Sequence, residues 1–242
     1  MIYNYQSFFE AKNYQDLYHF TNIVSLIDII SDGYLESTKT LDDIYISDSL
    51  GEVVDYNNRL WMLKNKYNHF ISTTRNKNMH NSYWTSDITS VRLKLDANKL
   101  TNKYKVVPVN YFYNKKDNDL SEQEEAILIR KGKDNIPLKP FLKELDIMSK
   151  SNSLEFLGNL RTDLTSRPDY TVSMYSFVYE ELYGEELDYG VFNEIENIIE
   201  SEDTEGLIEI YDLFLYYVKK WCSSDNIKLG YIKPEKIVPG GH

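Results

Sequence analysis

Two rhythms of apolar and polar positions run along the chain. The first is seen in residues 16–33. Asp16-Leu17-Tyr18-His19-Phe20 reads as a short apolar strand, and Ile23, Leu26, Ile27 and Ile30 recur at i, i+3, i+4 and i+7, the spacing of one helix face. Thr21 or Asn22 can accept a backbone N–H at the helix start, and Gly33 can take the left-handed turn that ends it. The pattern therefore sets a strand-borne His19 at the mouth of a helix N-terminus. Unpaired N–H groups there favour an anionic or amide-bearing ligand.

The second rhythm is strand-like. His69-Phe70-Ile71-Ser72-Thr73-Thr74-Arg75-Asn76 has β character and puts hydroxyls at a sheet edge. In Ser90–Asp96, Val91, Leu93 and Leu95 take one face and Arg92 and Lys94 the other. A turn or short helix follows at Ala97–Leu100. Lys105–Val109 and Tyr111–Tyr113 suggest a further strand, with Pro108 at an edge or bulge. Ser121-Glu122-Gln123-Glu124-Glu125 leads into the apolar Ala126-Ile127-Leu128-Ile129. Ile136–Pro140 reads as a linker.

From Phe141 to Asp225 the spacing is helical: Phe141-Leu142, Leu145 and Met148, then Leu154, Leu157 and Leu160, then Tyr175–Leu182, Phe192–Ile199 and Leu207–Val218. Residues 228–232 and 235–239 return to β character. The short N-terminal stretch 1–15 reads as a helix, and 53–66 as another, with Trp61 in the core.

Composition narrows the class. The 242 residues suit one domain or one domain with a large insertion, and 42% hydrophobic content supports a packed core. No apolar run approaches the ~20 residues of a membrane-spanning helix. The opening Met-Ile-Tyr-Asn-Tyr-Gln lacks the basic and apolar regions of a secretory signal, so none is expected. Cys222 is the only cysteine, which excludes internal disulfides and cysteine metal clusters and fits a reducing cytoplasm. Lying beside Trp221 in an apolar helix end, it reads as packing rather than nucleophile. No His and carboxylate spacing supports a metal site, and neither Gly-rich phosphate-loop pattern is present.

The net charge of −11 is concentrated in one segment. Residues 180–212 hold 13 acids and no Lys or Arg; taking those from 38 leaves 25 acids against 27 basic residues. A nucleic-acid substrate for the rest of the chain therefore stays open.

Three motifs in order carry a family resemblance. Leu-Tyr-His-Phe-Thr-Asn-Ile-x-Ser-Leu-x-x-Ile-x-x-x-Gly-Tyr-Leu at 17–35 resembles the opening of DarT-like and phage-encoded ADP-ribosyltransferases. Phe-Ile-Ser-Thr-Thr-Arg at 70–75 is similar to the second element of the phage-type members. The Gln-Glu-Glu lead at 123–125 resembles the segment that carries their catalytic Glu. Val-Arg-Leu-x-Leu-Asp-x-x-Lys-Leu at 91–100 also looks like that type.

The resemblance implies an α+β fold. Its core would be an ADP-ribosyltransferase-like split β-sheet over 1–136 and 228–242, and 137–227 an acidic helical insertion before the last strand. It implies NAD+ as substrate and ADP-ribose transfer to a nucleic acid or a protein, by a toxin or phage effector in the cytoplasm. Glu125 would be the catalytic carboxylate, with Glu124 as the alternative because register cannot be fixed from sequence. His19 would be both catalytic and NAD+-binding, with Phe20, Thr21, Ser72 and Thr73 in the same pocket. Arg75 would pair with the pyrophosphate and Tyr83, or its neighbour Trp84, would stack on the nicotinamide. The acidic helices would offer a docking place for an antitoxin or another protein.

Two departures matter. The first-strand basic residue is His19 rather than Arg, yet Ser-Thr-Thr is kept, a hybrid seen in DarT-like enzymes. The alternative reading is an inactive transferase-fold binding module or a phage accessory protein that acts by protein–protein interaction.

Overall fold

The computed structural model describes residues 16–37, 39–40, 64, 66–77, 90–108, 124–130, 132–151 and 153–232. The fold is mixed α and β, and its contacts group the chain into two compact units. The first contains Met1–Tyr18, Glu36–Lys77 and Lys94–Asn135; the second contains His19–Leu35, Asn78–Leu93 and Ile136–His242.

The first unit is built on antiparallel pairing. Its central strand, β4 (Tyr67–Thr74), pairs along its length with β7 (Glu124–Arg130), and β7 pairs on its other side with β6 (Lys105–Pro108). Two further strands meet β4. β1 (Leu17–Thr21) does so at Tyr18 opposite Thr74, and β3 (Lys39–Thr40) at Phe70 and His69. Ala126, Ile127, Leu128 and Ile129 are all buried, so β7 has apolar neighbours on both faces. That is why it reads as an unbroken apolar run instead of an alternation. A one-turn-and-more helix, α2 (Ala97–Lys103), precedes β6. Asp96 caps it by accepting the Lys99 N–H at 3.0 Å, and Lys103 sits in its last turn, where a cation suits the helix dipole.

The second unit is mainly helical. α1 (Ile23–Asp32) buries Ile23, Val24, Leu26, Ile27 and Ile30, as its period requires. Asn22 caps it, with its Oδ1 accepting the Ser25 N–H at 2.7 Å, and Gly33 ends it at φ 76°, ahead of β2 (Tyr34–Glu36). Only glycine takes that backbone without a Cβ penalty.

Four helices follow: α3 (Leu154–Thr165), α4 (Pro168–Tyr183), α5 (Tyr189–Ser201) and α6 (Thr204–Ser224). α6 buries Leu207, Ile210, Tyr211, Phe214, Leu215, Val218 and Cys222, a continuous stripe of one face. Tyr211 packs edge-on against Phe156 of α3 with ring centroids 5.4 Å apart, and its hydroxyl donates to the Met148 carbonyl at 2.9 Å.

Residues 141–148 correct the helical reading given to them. They hold β9 (Leu142–Met148), which runs parallel to β10 (Lys228–Ile232) from Lys228 opposite Glu144 to Ile232 opposite Met148. Phe141 and Leu142 donate their N–H groups to the Leu138 carbonyl in a turn, and Leu145 through Met148 are buried in the strand. The helix-like spacing of Phe141, Leu142, Leu145 and Met148 thus comes from a turn joined to a buried strand. The stretch 136–140 is likewise no free linker. β8 (Asn135–Pro137) occupies its start, and Ile136 and Leu138 are fully buried.

The β9–β10 pair is tied to β5 (Val91–Leu95), whose alternation is the expected one: Val91, Leu93 and Leu95 are buried and the residues between are not. Arg92 donates from Nε and Nη2 to Asp146 Oδ2 at 3.0 and 2.8 Å. Both side chains are mostly buried, at 17% and 8% exposure. Removing one partner of such a pair strands the other charge. Arg92→Ala is therefore expected to lower unfolding free energy by about 3 kcal/mol, read by urea melts. A double change of Arg92 and Asp146 to apolar residues should recover most of that loss.

Gly230 lies opposite Asp146, and a Cβ there would fall on the Asp146 carboxylate. Gly230→Ala is expected to push Asp146 off Arg92 and cost about 2 kcal/mol, additive with neither single change at the pair. A double-mutant cycle with Arg92→Ala measures that coupling.

Candidate functional site

The three motif strands are neighbours: β1 pairs with β4, and β4 pairs with β7. The register sets Thr73 opposite Glu125, Thr74 opposite Glu124, and Tyr18 opposite Thr74. Directly opposite positions have Cβ atoms about 5 Å apart. Ser72 is half-buried and Thr73 and Thr74 are buried. Glu124 and Glu125 open β7, as the sequence placed them.

His19 follows Tyr18 on β1 and is half-buried. Arg75 lies just past the end of β4, where the Asn76 N–H bonds back to Thr74 Oγ1 at 2.9 Å. Tyr83 and Trp84 lie outside the described residues, as do 1–15 and Trp61.

Phe20 and Thr21 line a cavity that belongs wholly to the second unit. Its volume is about 350 Å³, and its walls come from two places. One is the end of β1 and the first turn of α1, with Phe20, Thr21, Asn22, Val24 and Ser25. The other is the α3–α4 corner, including Thr162, Asp163, Arg167 and Tyr170. The first-turn N–H groups of α1 would otherwise be orphans. Ser25 N–H goes to Asn22 Oδ1, Leu26 N–H to the Asn22 carbonyl, and Ile23 N–H to Asp163 Oδ2 at 3.4 Å.

Asp163 is the residue that sequence reasoning missed. It is 4% exposed, and its Oδ2 also accepts from the Ser90 hydroxyl. Its Oδ1 has no partner among the described residues. Burial raises its carboxyl from 3.8 to about 7, against the pull of the Ser90 and Ile23 hydrogen bonds, which favour the charged form. Beside it, burial and a hydrogen bond to Asp28 hold the Tyr170 hydroxyl above its ordinary value. A polar residue on the apolar side of a helical stripe is the signal that could have found Asp163. In Leu154–Thr165 it stands three and one positions from Leu160 and Leu164, which are buried too.

Cys222 is buried, and burial with the nearby Asp225 pushes its thiol up to about 11. That suits packing and not nucleophilic attack at neutral pH. Among the described residues no helix is long and apolar enough to cross a membrane.

Comparison of the chain with protein-family models, with curated proteins and with solved structures found no match.

Proposed function

We propose that the chain is a mono-ADP-ribosyltransferase that moves ADP-ribose from NAD+ to a macromolecular acceptor. The observation that carries the reading is the order β1–β4–β7 with Thr73 opposite Glu125. Three motifs far apart in sequence, each resembling one element of that family, fall on neighbouring strands.

The reaction asks little covalent chemistry of the protein. The nicotinamide–ribose bond breaks with its electron pair leaving on the nicotinamide nitrogen, through an oxocarbenium-like state akin to glycoside cleavage. Glu125 holds the ribose 2′-hydroxyl, stabilises the developing positive charge, and takes the proton of the attacking acceptor group. Thr73, opposite Glu125, braces that carboxylate. The family resemblance assigns His19, Phe20 and Thr21 to the NAD+ ribose, Arg75 to the pyrophosphate and Tyr83 to the nicotinamide. The acidic 180–212 segment, with Tyr183 and Tyr189 exposed at its surface, is the docking place for an antitoxin or another protein partner.

Acceptor class is tested by following an adenine-labelled NAD+ into DNA, RNA and lysate protein supplied separately. Label in one class only, lost in Glu125→Ala, supports transfer and identifies the acceptor. Label in none of them, with NAD+ intact, leaves the fold as a binding module.

A further inference from the structure

We infer that Asp163 is a positioning residue for the NAD+-binding end of β1: from α3 it holds the first N–H of α1, and so sets where Phe20 and Thr21 stand. The inference rests on the transferase reading, in which those two residues and His19 belong to the NAD+ pocket.

Thr21 ends β1 and Ile23 begins α1, so a single residue, Asn22, joins the strand to the helix. Asn22 is itself fixed as the helix cap, and anchoring Ile23 therefore anchors Thr21 as well. An N–H in the first turn of a helix has no intrahelical partner, which leaves it to the rest of the fold to hold. Here the holder is Asp163, 140 positions on, whose Oδ2 accepts the Ile23 N–H at 3.4 Å. Asp163, Phe20 and Thr21 also line one cavity.

The same oxygen accepts the Ser90 hydroxyl. Ser90 is fixed in turn. Its carbonyl accepts the Met148 N–H at 2.7 Å, and the Met148 carbonyl accepts the Tyr211 hydroxyl of α6 at 2.9 Å. A run of hydrogen bonds thus passes from α6, by way of the end of β9 and Ser90, to Asp163 and the first turn of α1. All of its members, and His19–Thr21 with them, belong to the second unit.

Stability alone does not call for a carboxylate at this place. Asp163 is 4% exposed, and burying a charge costs more than burying an amide of the same shape. What the charge adds is grip, since an ionised acceptor holds its donors about twice as strongly as a neutral one. Asn at this position keeps the shape and an oxygen for Ile23 and Ser90, but holds both more loosely.

The test is steady-state nicotinamide release by the full chain at pH 8, where the Asp163 carboxyl, raised to about 7, is charged. Amide hydrogen exchange is followed on the same samples, and melting curves check that each variant folds. Asp163→Asn is expected to raise KM for NAD+ about 10-fold and to change kcat less than about threefold, the mark of lost binding rather than lost chemistry. Exchange should quicken at residues 19–25 and not along α6. Ser90→Ala should raise KM about 3- to 10-fold. The double variant should go no further than Asp163→Asn, because both changes act through one carboxylate.

An unchanged KM in Asp163→Asn overturns the inference, whatever happens to the melting temperature. So does a loss in kcat at unchanged KM, or two single effects that add in the double variant. If the unsubstituted chain releases no nicotinamide, the transferase reading falls by itself and exchange decides the positioning. Quickening confined to 19–25 then upholds the hold of Asp163 on the junction, and unchanged exchange there overturns it.

Discussion

Glu125→Ala should reduce nicotinamide release about 100- to 1,000-fold while leaving the melting temperature close to that of the unsubstituted protein. The magnitude is that of removing one preorganised electrostatic group from a developing charge. The position favours a clean result: Glu125 is at the head of β7, and the buried apolar run begins after it at Ala126. Glu124→Ala is the paired control. Its Cα partner is Thr74 and not Thr73, so it belongs to the other set of alternate positions along the strand. It should lose less than about tenfold. If Glu124→Ala is the dead variant and Glu125→Ala is active, the roles are exchanged while the strand assignment stands. Glu125→Gln is the informative intermediate, because it keeps hydrogen bonding to the ribose but removes the charge.

The second large effect is on stability and pH. Asp163 titrates at 3.8 when unfolded and about 7 when folded, so between those values the folded chain binds the extra proton. Its contribution is fully present below pH 3.8 and is lost as pH rises through about 7. For this group alone, stability therefore falls by up to about 4 kcal/mol across that window and is flat above it.

The groups around Asp163 bear on the same window. Ser90 and the Ile23 N–H hold the charged form, Arg167 shares the cavity wall, and Tyr211 feels the Asp163 charge, its hydroxyl raised first by burial. Asp163→Asn should remove this descent and leave the variant more stable than the unsubstituted chain at pH 8. Urea melts at a series of pH values measure it. An identical pH dependence in the two proteins would show that Asp163 stays charged in the folded state.

How much of this was legible in the sequence depends on how local each feature is. The β1–α1 junction was readable because its cap, its apolar period and its terminal glycine lie within Asn22–Gly33. β5 was readable because alternate positions are buried. β9 was not, since its buried run and the preceding turn copy a helical spacing, and its partner β10 is some 85 residues away in sequence. The division into units cuts inside β1 and β5, where no composition change marks it.

The motif strands of the candidate site were legible as types and as an order. Their register was not, because a shift of one residue leaves the apolar pattern plausible but exchanges Glu124 and Glu125. Asp163 was invisible for a different reason: its bonds reach Ile23 and Ser90, 140 and 73 positions away, and nothing around it in α3 announces them.

Nicotinamide release from NAD+ by the unsubstituted protein can be followed by proton NMR, with DNA, RNA and lysate protein each supplied alone. Transfer through Glu125 requires release that depends on one of the three and disappears in Glu125→Ala. Intact NAD+ in every mixture, together with an unchanged melting temperature when NAD+ is added, would contradict it.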